Sequence, residues 1–299
     1  MKPRYVTEEE VDRVVSARPL TDALEQAFRA LATGQARQAP RLRVTSPPHV
    51  LHNLPAIALG RAGIKTYLSG PQGVTMVTVV FELESGRLEA IIECNRLSQL
   101  RTGCATALAT RYLAEPGPQR LALLGAGTVA RGQLEALAAE QELAEVRLFS
   151  PRPQSRDDFV GWARERLSLE VRACASPTEA LEGANLVVTA TSSGKPLVQE
   201  AMLAPKCHLN AVGANRAGRR ELASEVVLSS QLTVVDDLEQ ARIEAGDLLE
   251  VAGLDWGPLV PLASLVANPP TQRPSRTLFK SLGVALEDLA AAAYVLQLL

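Results

Sequence analysis

One stretch of the sequence limits the fold more than any other: LALLGAGTVARGQLEAL, residues 121–137, where an apolar run leads into glycines and then into a helical pattern. Gly125 permits a tight turn, Gly127 lets a pyrophosphate approach the backbone, and Ala130 keeps helix and strand close. The helix N-terminus offers free N–H groups and a partial positive charge to phosphate. We therefore predict a dinucleotide site; the alternative is a glycine turn in an unrelated α/β protein. The turn residues expected to bind the cofactor are Gly125, Gly127, Thr128, Val129 and Ala130.

The sequence after this motif has the pattern of a parallel sheet. Short apolar stretches recur between helical or polar segments, at residues 145–150, 169–174, 184–192, 208–213 and 232–237. Strands that alternate with helices are typical of βαβ units, and continuously apolar strands indicate a sheet covered on both faces. We predict an α/β fold with a Rossmann-type, doubly wound domain of about six strands.

The sequence before the motif carries signals for both helices and strands. Thr7 and Glu10 have the spacing of a capping box, which predicts a helix start. Residues 74–83 are rich in β-branched side chains and 84–87 form a turn sequence, so we expect a hairpin. Residues 97–114 have helical periodicity. Further expected elements are a strand at 4–6, a helix at 20–32 and a loop or edge-strand region at 33–48.

The end of the chain changes character again after a Pro-rich connection at 268–276. We expect residues 277–299 to form a loop and a long helix, with no further strand. This helix should pack back on the N-terminal segment and make the first domain discontinuous. The expected domains are residues 1–118 with 276–299, and residues 119–275.

The composition excludes several classes of protein. The net charge of −2 gives no sign of a surface for nucleic acid or an anionic membrane. The four cysteines and three histidines lack the spacing of zinc ligands, so we expect no metal site and four buried thiols in a reducing compartment. The N-terminus has no apolar signal-peptide core, and the C-terminal apolar stretch is too short to span a bilayer. We expect a soluble, cytoplasmic protein.

The residues after the second predicted strand bear on which dinucleotide binds. NAD sites usually place an acid about 20 residues beyond the motif, for the ribose 2′-OH. Here no acid occurs before Asp157, whereas Ser150, Arg152 and Arg156 are suited to a 2′-phosphate, because guanidinium matches phosphate geometry. We predict NADP in preference to NAD, unless these arginines are simply solvated. The missing acid also argues against an S-adenosylmethionine methyltransferase.

Several longer stretches together resemble the ornithine cyclodeaminase/mu-crystallin family. The L-R-T-x-x-A-T and N-A-V-G-A motifs within them are much more specific than the glycine motif. The stretches are GIKTY (63–67), LRTGCATALATRYLA (100–114), LLGAGTVA (123–130), ANLVVTATSSGKPLV (184–198), HLNAVGANRAGRREL (208–222), ARIEAGDL (241–248) and TLFKSLGVALEDLAAA (277–292).

The resemblance implies a homodimer. The discontinuous first domain would be an α+β dimerisation and substrate domain, and the Rossmann domain would bind NAD(P). The substrate, a small α-amino or α-imino acid, would lie between the domains near the nicotinamide. Family activities are ornithine cyclodeamination, ketimine reduction and alanine dehydrogenation, and mu-crystallins also bind thyroid hormone.

Three basic residues match functional residues of the family. Arg101, in the L-R-T motif, corresponds to an arginine that holds the substrate carboxylate. Lys65, in the G-x-K motif, corresponds to a lysine that contacts the substrate and is a candidate proton carrier. Arg41 corresponds to a second carboxylate ligand, with Arg43 as a competitor for that role. Guanidinium can bind carboxylate bidentately, and a lysine buried beside other cations has a lowered pKa that suits acid–base chemistry. The alternative for each is a surface or structural charge.

Asn215 is a departure from the family pattern. Ornithine cyclodeaminases have aspartate after N-A-V-G-G/A, where it meets the distal amino group of the substrate. Asparagine carries no charge, and a charge-assisted hydrogen bond is roughly twice as strong as a neutral one. The sequence therefore suits ornithine less well, and Asn215 is expected to bind a neutral substrate group or the cofactor. Weaker matches add further cofactor residues: Thr191, Val212, Gly213, Phe279, Lys280 and Ser281.

These observations predict an NAD(P)-dependent oxidoreductase that acts at the C–N bond of small α-amino or α-imino acids. Ketimine reduction by hydride transfer, for example of pyrroline-2-carboxylate, is the favoured reaction. Ornithine cyclodeamination and a non-catalytic, NADPH-bound ligand carrier are the alternatives. Glu221 and Asp247 are expected to be structural, and Asp236 and Asp237 to cap a strand end.

Overall fold

The computed structural model describes residues 2–299, which divide into two compact units. The first unit contains the chain up to Ala105 together with Gly283–Leu299, and the second contains Thr106–Leu282. The first unit is thus discontinuous. Its boundaries fall after Ala105 and Leu282, whereas we expected them after residues 118 and 275.

The first unit is built on a seven-stranded sheet in the order β1-β7-β6-β5-β4-β2, with β3 paired to β4. All neighbouring strands are antiparallel except β1 and β7. Its elements up to the boundary are β1 (Arg4–Val6), α1 (Glu8–Val14), α2 (Ala17–Ala32), β2 (Arg37–Gln38), β3 (Leu42–Ser46), β4 (His49–Ala58), β5 (Arg61–Gly70), β6 (Gly73–Glu82), β7 (Leu88–Glu93) and the start of α3 (Asn95–Leu113).

Local sequence signals in this unit are confirmed. The Thr7 side chain accepts a hydrogen bond from the Glu10 backbone N–H, and the Glu10 carboxylate accepts one from the Thr7 N–H, so the capping box forms at the start of α1. β6 and β7 form the expected hairpin around a turn at residues 83–87.

The second unit is an α/β domain with an eight-stranded parallel sheet in the order β10-β9-β8-β11-β12-β15-β13-β14. The glycine motif lies between the first strand and first full helix of this domain, as predicted. Its elements are β8 (Gln119–Leu124), α4 (Thr128–Glu140), β9 (Leu143–Phe149), α5 (Pro153–Leu167), β10 (Arg172–Cys174), α6 (Pro177–Leu181), β11 (Leu186–Thr189), β12 (Cys207–Ala211), α7 (Ser224–Leu228), β13 (Leu232–Val235), α8 (Leu238–Glu244), α9 (Gly246–Leu249), β14 (Val260–Pro261), α10 (Leu262–Ala267) and β15 (Arg276–Lys280).

Strand β15 corrects one prediction. We expected a loop at the start of residues 277–299, but residues 276–280 pair in parallel with both β12 and β13 inside the sheet. The strand is only five residues long, and its pairing partners are far away in the sequence, so no local period identifies it. The short strand β14 at the sheet edge was missed for the same reason.

The last helix, α11 (Ala285–Leu298), belongs to the first unit and packs against α2 and the strands β4 and β5, as expected from the sequence. Its contact with the sheet is close, because a Cβ added at Gly63 of β5 would lie 2.8 Å from Leu289 Cδ1. The helix is buried on nearly every side, and two acids in its first turn, Glu287 and Asp288, are buried with it. Buried carboxylates require partners, and these lead to the candidate site.

The four cysteines are free and buried, as predicted. Within residues 2–299, no helix combines the length and the apolar character needed to cross a membrane. In the same described part of the chain, no group of three or more His, Cys, Asp or Glu side chains is arranged to hold a metal ion.

Candidate active site and cofactor cradle

The glycine turn between β8 and α4 has the geometry that the motif predicts. Gly125 has a φ of +118°, and a Cβ there would collide with the Ala190 carbonyl, so a side chain is excluded. Gly127 is the N-cap of α4 and faces open space, which leaves its backbone accessible to a phosphate. Ala130 is fully buried, whereas Thr128 and Val129 are exposed. The turn therefore fits the pyrophosphate of a dinucleotide.

The end of β9 presents arginines instead of an acid. Ser150 follows the strand directly and is almost fully buried. Arg152 is exposed at the N-cap of α5. Arg156 Nη1 donates to the Ser150 carbonyl at 2.5 Å, which fixes this corner of the loop. The acids Asp157 and Asp158 lie further along, within α5.

A single carboxylate, that of Glu221, joins the loops that follow β11 and β12. It accepts hydrogen bonds from the N–H and hydroxyl of Thr191 at 2.7 and 2.8 Å, and from the Gly213 and Ala214 N–H groups at 2.7 and 3.2 Å. Gly213 has no room for a side chain, since a Cβ there would collide with the Thr191 carbonyl. Burial raises the pKa of Glu221, and the nearby Lys280 opposes this effect.

A second carboxylate holds Glu221 in turn. Asp247 Oδ1 accepts from the backbone N–H groups of Glu221 and Leu222 at 2.6 and 2.9 Å. These contacts give Glu221 and Asp247 the structural role that we expected. Of the other two acids, Asp237 follows β13 and caps α8 by accepting from the Gln240 N–H, and Asp236 accepts from the Leu282 N–H.

Lys280, one of the predicted cofactor residues, is fully buried at the end of β15. The Lys280 ammonium is 3.0 Å from Asp247 Oδ2 and donates to the Ala211 carbonyl at 3.2 Å, in the interior of the unit. Its charge is therefore engaged in an internal ion pair, and a role of Lys280 at the cofactor stays a prediction. Phe279 and Ser281 are also buried, as is Val212 after β12.

In the first unit, two of the predicted basic residues meet at the buried acids of α11. Lys65, on β5, places its Nζ 3.1 Å from Asp288 Oδ1 and also donates to the Ser98 hydroxyl. Arg101, on α3, places Nε 2.8 Å from the same Asp288 oxygen and donates through Nη1 to Glu287. The Lys65 and Arg101 side chains are only 3% and 5% exposed. We define these four charged residues as the buried charge cluster.

The charges of this cluster oppose one another in their effects on pKa. Burial lowers the pKa of Lys65, the Asp288 carboxylate raises it, and Arg101 lowers it again. Burial also acts to lower the pKa of Arg101, but Asp288 and Glu287 raise it above its ordinary value. Arg101 is therefore permanently charged, while Lys65 is a buried amine that is able to exchange a proton.

Arg41 lies at the edge of the same cluster, where it contacts the backbone of Gly283. Its Nη2 donates to the Gly283 carbonyl at 2.7 Å. Gly283 has a φ of +73°, and a Cβ there would lie 2.7 Å from Arg101 Nη1. Both arginines thus lie against one glycine, and a carboxylate anchored by two guanidinium groups is compatible with this placement.

An aromatic pair lies next to Lys65. His52 and Tyr67 stack with ring centroids 4.1 Å apart, and the Lys65 ammonium is 5.6 Å from the centre of the Tyr67 ring. Burial lowers the pKa of His52 to about 4, with help from Arg43 and Arg41, so this imidazole is neutral near pH 7. Arg43 pairs with His52 across β3 and β4, so both arginine candidates act on this region.

Asn215 lies on the exposed loop after β12, in the second unit. Its backbone N–H donates to the Gly213 carbonyl at 3.1 Å.

The sequence analysis missed Ser98, Glu287 and Asp288. Two acids within an otherwise apolar helical stretch were the available signal, since buried carboxylates imply buried cations.

Comparison with known proteins gives a consistent result. The model of the ornithine cyclodeaminase/mu-crystallin family matches residues 1–298. A ketimine reductase mu-crystallin of Rattus norvegicus is 34% identical over 218 residues, covering 73% of this chain and 67% of that protein. An archaeal alanine dehydrogenase dimer with bound NAD is 29% identical with a TM-score of 0.92, covering 99% of this chain and 96% of that one. The Δ1-pyrroline-2-carboxylate reductase of Thermococcus litoralis, in complex with NADH and L-proline, is 26% identical with a TM-score of 0.92 and covers 98% and 96% of the two chains.

Proposed function

This chain belongs to the ornithine cyclodeaminase/mu-crystallin family and is an enzyme of that family, and from this premise we propose that it reduces small cyclic ketimine acids, such as Δ1-pyrroline-2-carboxylate, with a reduced nicotinamide cofactor. One observation carries the proposal. Lys65, a candidate proton donor, is buried beside Arg101, a candidate carboxylate anchor. A substrate with a carboxylate next to a C=N bond needs both groups at once.

In this proposal Arg101 and Arg41 bind the substrate carboxylate. A guanidinium has five N–H donors in a planar arrangement. Arg101 donates a hydrogen bond to Glu287 through Nη1, and its Nε lies 2.8 Å from Asp288 Oδ1 in an ion pair, so donors remain for a substrate. Fixing the carboxylate also fixes the imine carbon beside it, and such orientation lowers the barrier by several kcal/mol, on the order of the effect of proximity in other enzymes.

Lys65 manages the proton of the imine nitrogen in this mechanism. A protonated iminium accepts hydride more readily than a neutral imine, because the positive charge draws electrons from the carbon. The lowered pKa of Lys65 makes its ammonium a better proton donor than an ordinary lysine. The cofactor supplies the hydride when bound, and the Gly125–Gly127 turn with the N-terminus of α4 would hold its pyrophosphate.

We propose NADP in preference to NAD. The support is that Ser150, Pro151 and Arg152 follow β9 where an NAD site usually carries an acid. The structurally similar proteins were solved with NAD or NADH, so the comparison must be made directly on this protein. We expect kcat/KM for NADPH to exceed that for NADH by about tenfold or more. Equal values, or a preference for NADH, would contradict this choice.

The reaction is tested by following cofactor absorbance with Δ1-pyrroline-2-carboxylate. We expect rapid oxidation of the reduced cofactor and formation of proline. A parallel assay with L-ornithine measures released ammonia, because cyclodeamination regenerates its cofactor and gives no net absorbance change. Ammonia release without imine reduction would replace the proposed activity by cyclodeamination. The absence of both signals would favour a ligand carrier.

We also propose that the protein is a homodimer, on the basis of an apolar surface in the first unit. Ile57, Ala62 and Phe81 pair across β4, β5 and β6, and Ile57 and Phe81 are 43% and 38% exposed. Light scattering should give twice the chain mass of 32.0 kDa. Ile57→Asp should shift the mass towards the monomer, whereas Leu228→Asp, at an exposed site on α7, should not. A monomeric wild type would overturn this proposal.

A further inference from the structure

The two acids of α11 are neighbours in sequence but have different partners. Both are buried in the first turn of a helix that is otherwise almost entirely apolar. Glu287 accepts from Arg101, and its charge acts on the pKa of that arginine. Asp288 bridges the two cations, because its Oδ1 lies 2.8 Å from Arg101 Nε and 3.1 Å from Lys65 Nζ.

We propose that Asp288 is a positioning residue that keeps Lys65 protonated and in place for proton transfer, while Glu287 orients Arg101. This inference rests on the proposed function, since it assigns a task to a residue that acts through Lys65. It divides the two carboxylates by role and makes a specific prediction for each.

The need for an anion beside Lys65 follows from its surroundings. An ammonium that is almost fully buried next to an arginine loses both hydration and electrostatic support, so the neutral amine is favoured. The Asp288 carboxylate, 3.1 Å away, is the charge that opposes this tendency. Without Asp288, Lys65 would lose its proton at a lower pH and would have no proton to donate.

The other groups around Lys65 do not supply such a charge near neutral pH. Burial raises the pKa of Cys94, at the end of β7, to about 11, and it also raises the pKa of Tyr67 on β5. His52 on β4 has its pKa lowered to about 4 and is neutral. The Ser98 hydroxyl on α3 is uncharged. Arg101 acts on Lys65 directly, and Arg41 and Arg43 act on His52 and Tyr67 beside it, so these three neighbours add positive charge. Glu8 on α1 acts on Cys94, and it is not among the groups that most shift the pKa of Lys65.

The proton-transfer step balances with these groups. The Lys65 ammonium gives one proton to the imine nitrogen, so an Nζ–H bond breaks and an N–H bond forms on the substrate. A reduced nicotinamide, when bound, would supply the hydride that the imine carbon needs for its new C–H bond, and its oxidation would balance the reduction of the C=N bond. Lys65 is left as a neutral amine beside Asp288 and recovers its proton from solvent.

The test compares Asp288→Asn with Glu287→Gln. The two variants are matched, because each removes one buried negative charge and the two positions are adjacent. The wild-type kcat/KM should fall at high pH as Lys65 loses its proton. In Asp288→Asn this fall in kcat/KM should occur at a pH lower by more than about one unit, because an anion about 3 Å from the Lys65 ammonium has been removed. In Glu287→Gln the fall in kcat/KM should occur at the same pH as in the wild type, while KM for the imino acid rises. Asp288→Glu, which restores the anion, should recover much of the wild-type profile.

A second measurement separates this inference from the proposed reaction. The lysines of the chain are Lys2, Lys65, Lys195, Lys206 and Lys280. Their Nζ signals are few enough to resolve by 15N-lysine NMR, with Lys65→Met assigning the signal of interest. We expect the wild-type Lys65 to be an ammonium near neutral pH and to titrate at lower pH in Asp288→Asn.

The outcomes are distinct. A neutral Lys65 in the wild type near neutral pH, or equal titration midpoints in the wild type and a folded Asp288→Asn, overturns the positioning role. An equal shift in Glu287→Gln also overturns it, because the two acids would then act alike. If the NMR shift occurs but no imine is reduced, the role of Asp288 stands and the proposed reaction fails. If Asp288→Asn does not fold, the wild-type NMR result alone decides.

Discussion

Arg101 is the residue whose replacement separates substrate binding from cofactor binding. It lies in the first unit beside Lys65, whereas the glycine turn lies in the second unit. Arg101→Ala should raise KM for the imino acid by about a hundredfold or more, since a charge-assisted anchor is lost, and should leave NADPH binding intact. Steady-state kinetics and a fluorescence titration measure the two effects.

The control for this substitution is Arg61, another arginine that is held in an ion pair but has no proposed role in binding. Arg61 pairs with Glu89 at 2.9 Å on the same sheet, and Arg61→Ala should keep both parameters close to the wild type. Arg101→Ala will also lower stability, because Glu287 loses the arginine and Asp288 loses one of its two cations, and a broken buried pair costs about 3–5 kcal/mol. Equal losses of substrate and cofactor affinity in a folded variant would contradict the anchoring role.

Asn215 allows a test of the expectation that this chain is less suited to ornithine than the ornithine cyclodeaminases are. Asn215→Asp restores a charge at the position where ornithine cyclodeaminases carry an acid, so we expect any ammonia release from L-ornithine to rise by about tenfold. Release of ammonia and formation of proline provide the measurement. The absence of any gain, in a variant that still folds and binds NADPH, would count against this explanation of the departure.

At the scale of secondary-structure elements, the loops after β11 and β12 depend on the Glu221 carboxylate. Glu221→Gln replaces one acceptor oxygen by an NH2 group, which then faces the N–H donors of Thr191 or Gly213. We expect a Kd for NADPH about tenfold higher, because the two loops lose their common anchor. The exposed Glu225→Gln on α7 is the control and should bind as the wild type does. Unchanged affinity for NADPH in a folded Glu221→Gln would show that cofactor binding does not depend on the anchoring of these two loops by Glu221.

Elements were predictable from the sequence where their causes are local. The capping box at Thr7 and the Gly125 turn each depend on a few neighbouring residues, and both form as expected. Strand β15 was not predictable, because its stability comes from pairing with β12 and β13, which lie far from it in the chain. Of the buried charge cluster, the two cations were predictable because they match motifs. The two acids on α11 were not, because they meet the cations only when the helix packs on the sheet.

At the scale of the whole molecule, a buried histidine links stability to pH. His208 on β12 is hydrogen-bonded to Thr277 and Asn210, and burial lowers its pKa from 6.5 to about 3. The folded state therefore binds fewer protons than the unfolded state between these values. Stability is complete above pH 6.5 and is lost as the pH falls below it, by up to about 1.4 kcal/mol per pH unit from this group.

This linkage is measurable by denaturant unfolding at several pH values. His208→Gln removes the titrating group, so the free energy of unfolding should depend less steeply on pH below 6.5 than in the wild type. His49→Gln, at an exposed position on β4, serves as the control and should keep the wild-type slope. An unchanged slope in His208→Gln would show that the buried imidazole does not carry this dependence.

The central claim, that this protein transfers hydride to the carbon of an imino acid, is tested most directly by isotope transfer. The protein is incubated with NADPH carrying deuterium at nicotinamide C4 and with Δ1-pyrroline-2-carboxylate, and the proline formed is examined by mass spectrometry and NMR, with each C4 stereoisomer used in turn. We predict that one of the two stereoisomers gives proline with a single deuterium at Cα. Proline without deuterium from both stereoisomers, or no proline at all, would contradict the proposed reaction.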